Sequence, residues 1–264
     1  MKILRKVLPT NWCIQMGNKE DYFIVGKRVV FEAFKANYPI RQLIVQKRER
    51  YDELIHRIIS IARGKKIEVL LRDEQWFDRR FRSLNAQGIV AVGRPFNYSN
   101  IEDLSFNKSA IFLILDRIQD PQNFGAIIRS AECAGVSGII IQEKESPEVT
   151  ESVISISSGA IFHMKIVKIK SLPNAITYLK QNGVWIVGTK PGAKTLYYDL
   201  DYRNHSFAVV LGNEGEGIRP GILDKCDFIV SIPMFGEVNS LNVSVTAGIM
   251  LFKILETKRN NGKI

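Results

Sequence analysis

From Ala110 onward the chain alternates between strand-like and helix-like segments, and this alternation limits its possible folds more than any other feature. AIFLILD, residues 110–116, is a continuous apolar run of the kind buried on both faces. GIIIQ, MKIVKI, VWIVGTK and SFAVVLGN follow as further strands, with helical segments such as TESVISISSGA and LPNAITYLKQNG between them. Such an order predicts a mostly parallel α/β sheet with helices on both faces. Within it, Val209 to Val245 reads VVLGNEGEGIRPGILDKCDFIVSIPMFGEVNSLNVSV. The run ending at Gly212 empties into the loop Asn213–Gly217. A short helix leads to a second run, Phe228–Pro233, and a turn at Gly236 opens a small-residue helix near Ser240. Ligands in open α/β sheets collect outside the carboxyl ends of strands. Glycines let a ligand approach the backbone there.

The preceding residues predict a separate small α/β unit. GKRVVFEAFKANY is helical, with Val30, Phe34 and Tyr38 on one face. RQLIVQK and IEVLLR read as strands around the amphipathic helix RYDELIHRIISIARGKK. DEQWFDRRFRSL is a further helix with Asp73 as N-cap, and NAQGIVAVG is the closing strand. Residues 1–20 form an N-terminal extension, read as an extended start in preference to a presequence. Residues 21–93 form the small domain, 94–109 a linker, and 110–264 the second domain.

Charge separates the two parts. Residues 1–104 hold 20 Lys and Arg against 12 Asp and Glu, whereas residues 105–264 hold 17 against 15. A basic module beside a near-neutral one suggests a polyanion grip joined to a chemistry module, with nucleic acid the favoured partner. Arg79, Arg80 and Arg82 beside Trp76, Phe77 and Phe81 suit either RNA or a helix with one buried and one solvated face. Cys13, Cys133 and Cys226 make no CxxC and no zinc spacing, so a reducing, cytoplasmic setting and no metal are expected. His56, His163 and His205 read as packing or surface residues. No apolar run approaches the ~18 residues of a membrane span.

Two residues that follow the first strand of this domain carry chemistry, one at the turn and one on the helix after it. Asn123 can cap the helix that follows Pro121. Arg129 falls among apolar residues on that helix and calls for an anionic partner, either an internal carboxylate or a bound phosphate.

DPQNFGAIIRSAECAG, then VVLGNEGEGI with CDFIVSIPM, then EVNSLNVSVTAGI together resemble the three ordered motifs of the SpoU (TrmH-like) family of SPOUT methyltransferases. These enzymes transfer a methyl group from S-adenosylmethionine to a ribose 2′-hydroxyl in RNA. GKRVVFEAF and AQGIVAV resemble the small RNA-binding domain of bacterial large-subunit rRNA guanosine 2′-O-methyltransferases, although Ala86 stands where that block often has a histidine. The resemblance implies a C-terminal trefoil knot, which ordinary topology rules would exclude. It implies S-adenosylmethionine against Thr189, Gly212, Ile232 and Leu241. It also implies an active site built from Asn123, Arg129, Glu214, Asn239, Ser240 and Asn242. A guanidinium is a poor base, so Arg129 is read as a phosphate ligand, with Glu214 as proton acceptor or as an orienter of Arg129. Asn239 and Asn242 also suit turns and caps. Relatives dimerise through the closing helix, where Val245, Ile249, Phe252 and Leu255 share one side, so a homodimer is expected. The implied target is a guanosine of 23S rRNA. A tRNA guanosine, or a non-catalytic RNA-binding or ribosome-assembly role on the same scaffold, is the alternative.

Overall fold

The computed structural model describes residues 22–81 and 84–259. The expectations placed on residues 1–20, Cys13 and Arg82 lie outside them.

Strands β1 (Tyr22–Val25), β2 (Ile40–Gln46), β3 (Glu68–Arg72) and β4 (Ile89–Gly93) form a four-stranded sheet in the order β1-β4-β2-β3. β4 runs antiparallel to β1 and β2, and β2 pairs with β3 in parallel. Helices α1 (Lys27–Lys35), α2 (Glu53–Gly64) and α3 (Glu74–Phe81) connect them. Asp73 caps α3 as its sequence position predicts, accepting the Trp76 amide at 2.8 Å. α1 stops at Lys35, and Asn37 beyond it takes φ 53°. Tyr38 therefore leaves the helical face expected for it and packs its ring 4.5 Å from Phe162. On α3, Phe77 and Phe81 are buried and the exposed Arg80 lies 5.4 Å from the Trp76 ring.

Residues 94–109 are more than a linker. Ser99 bridges to Val167, its amide donates to Ile166 O at 2.9 Å, and Leu104 is buried. A Cβ on Gly138 would sit 2.5 Å from Leu104 Cδ2. Apolar residues spaced through this Pro- and Asn-containing stretch strap it onto the second sheet. The two parts also meet directly: the Phe23 amide donates to Glu151 Oε1 at 3.0 Å, and His163 Nε2 lies 2.9 Å from Glu32 Oε2.

The second sheet contains β5 (Ile111–Asp116), β6 (Gly138–Gln142), β7 (Ile166–Ile169), β8 (Val184–Thr189), β9 (Thr195–Leu196), β10 (Ser206–Gly212) and β11 (Phe228–Ser231). Their order is β7-β6-β5-β10-β8-β11-β9, and each neighbouring pair is parallel. The two-residue β9 is too short to leave a sequence pattern. Side chains alternate between two cores. Ile111, Leu113 and Leu115 meet α4 (Pro121–Cys133), α5 (Glu151–Ile156) and α8 (Val243–Arg259), while Phe112 and Ile114 meet α6 (Leu172–Gln181) and α7 (Pro220–Leu223). Helices thus cover both faces, as the strand–helix alternation predicts. Gly125 is what lets α4 approach α5, since a Cβ there would come 2.6 Å from Ile156 Cγ2.

The closing helix departs from expectation twice. It begins at Val243 rather than near Ser240. Its buried side carries Val243, Ala247, Met250, Leu251 and Ile254, whereas Val245 and Phe252 on the expected apolar stripe are each 48% exposed. α8 therefore has two apolar sides, and only one meets its own sheet. Among the described residues no group of three His, Cys, Asp or Glu is placed to hold a metal ion, and no helix is long and apolar enough to cross a membrane. Burial, followed by the neighbouring Asp227, pushes the Cys226 thiol up to about 12, which makes it packing rather than a nucleophile.

Candidate active site

The carboxyl ends of β8, β10 and β11 surround a cleft of about 360 Å³. Its wall is apolar where Ile218, Leu223, Val230, Ile232, Leu241 and Val243 line it, and polar at Thr189, Lys190 and the loop Asn213–Gly217. All four positions expected to hold a cofactor, Thr189, Gly212, Ile232 and Leu241, line this cleft, as do Glu214 and Ser240. An apolar slot with a few fixed polar groups suits a small organic ligand.

The loop's geometry follows from Gly212 and Asn213. Asn213 Oδ1 accepts the Gly215 amide at 2.9 Å and the Glu216 amide at 3.3 Å, while the Gly217 amide returns to Asn213 O at 2.8 Å. This tight ring brings Gly217 against Gly212. A Cβ on Gly212 would lie 2.2 Å from both Gly217 C and Ile218 N, so no side chain fits.

Three distant segments converge on the rim. Asn123 Nδ2 donates to Glu214 Oε1 at 2.6 Å, and Asn242 Nδ2 donates to Asn123 Oδ1 at 2.9 Å. Asn242 Oδ1 accepts the Ser244 amide at 2.8 Å and its hydroxyl at 2.6 Å, which ties the chain to the first turn of α8. A bridge of amide and carboxylate thus joins α4, the β10 loop and the α8 entrance. Asn123 does not cap α4. Asp120 does, accepting the Gln122 and Asn123 amides at 3.1 Å each, which leaves the Asn123 side chain free for Glu214.

Arg129 and Asn239 stand outside this bridge. Both are exposed, and neither lines the cleft. Ile127, Ile128 and Ala131 take the buried arc of α4, so Arg129 faces solvent, and of its two possible partners the internal carboxylate is not found among the described residues. Glu214 meets Asn123, not Arg129, so it does not orient the guanidinium here. Thr189 spends its hydroxyl inside the fold, donating to Val210 O at 3.0 Å.

A second polar group escaped the sequence reading. Asp116 ends β5 opposite Gly212 and is fully buried. Its Oδ2 accepts the Arg219 amide at 2.9 Å, and its Oδ1 lies 2.6 Å from the Arg219 guanidinium, which also bonds Gln142 Oε1. The next residue, Arg117, accepts Asn213 Nδ2 on its carbonyl at 3.1 Å and donates from Nη1 to Glu216 Oε2 at 2.6 Å. A charged residue closing an otherwise apolar strand at the ligand end of the sheet was the available signal.

Fold and cleft together define an α/β protein with a cleft of small-molecule size at the carboxyl ends of its strands. Comparison with known proteins narrows the class. The chain belongs to the SpoU rRNA methylase family, whose model matches residues 110–252, and residues 23–99 match the RNA 2′-O ribose methyltransferase substrate-binding domain. It is an RNA methyltransferase of the SpoU/TrmH type. A Staphylococcus aureus protein assigned to the TrmH family of tRNA/rRNA methyltransferases is 34% identical over 250 residues, covering 93% of this chain and 100% of the relative. Among solved structures, an AdoMet-bound rRNA methyltransferase from Sinorhizobium meliloti superposes with a TM-score of 0.78 at 24% identity, covering 90% of this chain and 88% of the other. An RNA 2′-O ribose methyltransferase superposes at 0.77 with 25% identity, covering 90% and 88%.

Proposed function

We propose that this protein methylates the 2′-hydroxyl of a guanosine ribose, in 23S rRNA, using S-adenosylmethionine. The observation that carries the reading is the Glu214–Asn123–Asn242 bridge on the rim of an apolar cleft. Ile232 and Leu241 would hold the adenine, with Gly212 and the adjoining loop offering backbone groups close by; an AdoMet-bound neighbour supports S-adenosylmethionine as the cofactor. Bound there, the cofactor supplies an electrophilic sulfonium methyl group. The chain's own residues do the rest. A ribose hydroxyl is a weak nucleophile and must be oriented and relieved of its proton. Glu214 has one oxygen fixed by Asn123; the other has no partner among the described residues and is the proton acceptor. Asn242 and Ser240 orient the hydroxyl, and Asn239 orders the loop. The exposed Arg129 binds the phosphate beside the target ribose.

Residues 21–93 grip the RNA, and residues 110–264 form the methyltransferase domain, its C-terminal part knotted. The half-exposed Val245 and Phe252, with Phe235 at 97% exposure, are the surface of a homodimer. The protein works in the cytoplasm. A tRNA guanosine is the second reading, kept because the staphylococcal relative's name spans tRNA and rRNA. Mapping ribose methylation on total RNA from cells with and without this gene tests both. One lost 2′-O-methylguanosine in 23S rRNA is the expected result. A lost tRNA site selects the second reading, and an unchanged map overturns both.

A further inference from the structure

Resting on the reading of the cleft as an S-adenosylmethionine site, we propose that Arg117 is a positioning residue that fixes the cofactor loop through Glu216. Glu216 lies in the cleft wall, and its side chain is 72% exposed. Its carboxylate is held by Arg117 Nη1 at 2.6 Å, whereas the Arg117 side chain is only 19% exposed. Arg117 thus reaches up from the end of β5 to a residue on the rim. Its carbonyl meanwhile receives Asn213 Nδ2 at 3.1 Å. One residue therefore holds the loop both at its start and near its end.

Arg117 is built for that task at some cost. Its φ is 60°, the left-handed region that non-glycine residues rarely occupy. This turn aims the carbonyl at Asn213 while the side chain crosses to Glu216. The buried Nε has no hydrogen-bond partner and lies 4.0 Å from Asp116 Oδ1, so the guanidinium is anchored from below by charge and engaged from above by a hydrogen bond. A residue in a sparsely populated conformation persists only when its surroundings over-determine it. Here the surroundings are the walls of the cleft. The physical consequence is preorganisation. A loop already ordered before ligand arrives loses less entropy on binding, and the gain appears as affinity.

A competing role is that Glu216 itself faces the cationic part of the cofactor, with Arg117 merely balancing its charge. The two roles separate on the charge of the ligand. S-adenosylhomocysteine lacks the sulfonium charge but fills the same space. A loop held in shape serves both ligands alike, whereas a carboxylate reading the sulfonium serves only the charged one.

The test is calorimetric titration of the full-length protein with both ligands, in wild type, Arg117→Asn, Glu216→Gln and the double variant. Asn tolerates the left-handed backbone, so the first substitution removes the guanidinium without forcing the turn. Each single variant is expected to weaken both ligands by about tenfold, equivalent to roughly 1.4 kcal/mol. The double variant should be no weaker than either single one, because both remove the same contact. A transfer rate at saturating cofactor close to wild type, with a raised KM, is expected alongside. Additive losses, or a loss confined to S-adenosylmethionine, overturn the inference. A wild-type protein that binds neither ligand overturns the reading of the cleft instead. Melting temperatures of all four proteins show whether a loss is unfolding, and Glu216→Gln, at an exposed site, supplies the answer if Arg117→Asn is unstable.

Discussion

Gly212→Ala tests most directly whether the cleft depends on the tight return of the β10 loop. The added methyl would lie 2.2 Å from Gly217 C and Ile218 N, and 2.5 Å from Gly217 O. Comfortable carbon contacts lie at about 3.5–4.0 Å, so the loop must retreat by more than ~1 Å. Every one of those neighbours is main chain, so no flexible side chain can yield instead. Overpacking costs about 1–3 kcal/mol, and a backbone clash belongs at the upper end. For a chain of this size ~3 kcal/mol lowers Tm by roughly 6–12 °C. The function should suffer more, because a misplacement of about 1 Å in a positioning element costs around 10²-fold in rate. Differential scanning fluorimetry, cofactor titration and single-turnover methylation on one preparation read all three effects. Gly221→Ala is the control, since a Cβ there meets nothing within 4 Å. A Gly212→Ala protein that melts with the wild type and binds cofactor with wild-type affinity would refute the reasoning, because the loop would then not be fixed by this contact.

Substitutions at two further positions bear on the roles assigned above. Arg129 is exposed and without an ion pair among the described residues, so Arg129→Ala should change stability by no more than about 0.5 kcal/mol while lowering methyl transfer ~10²–10³-fold; Arg129→Lys should recover part of that loss. A destabilised Ala variant whose folded fraction still methylates at the wild-type rate removes Arg129 from catalysis. Asp116→Asn leaves the Arg219 guanidinium beside a neutral group, and because Arg219 is 32% exposed the cost should stay at or below the ~3 kcal/mol lower bound for a broken buried pair. Urea unfolding measures it, and an unchanged midpoint would show that the pair contributes nothing net.

Much of this protein follows from sequence alone, and for identifiable reasons. Continuous apolar runs separated by helical spacing allow little except a parallel sheet covered on both faces, and the two glycine-bearing loops mark where its ligand end must lie. Thr189, Gly212, Ile232 and Leu241 line one cleft because three of them end or follow adjacent parallel strands, a relation that strand order preserves. What one-dimensional pattern could not decide was which polar side chains would find one another. Asn123 read as a cap, yet Asp120 takes that work and frees the amide for a glutamate 91 positions away. Arg129 read as a residue among apolar neighbours in need of an anionic partner, and helical phase turns it to solvent, away from any internal carboxylate. Residues 94–109 read as a linker because turn formers hid the apolar residues that strap them down. The Asp116–Arg219 and Arg117–Glu216 pairs span 103 and 99 positions, so no local pattern announced them. Burial patterns repeat with the period of the backbone and so are written along the chain. Hydrogen-bonded polar pairs depend on where two distant strands end in space, and only the tertiary structure brings those ends together.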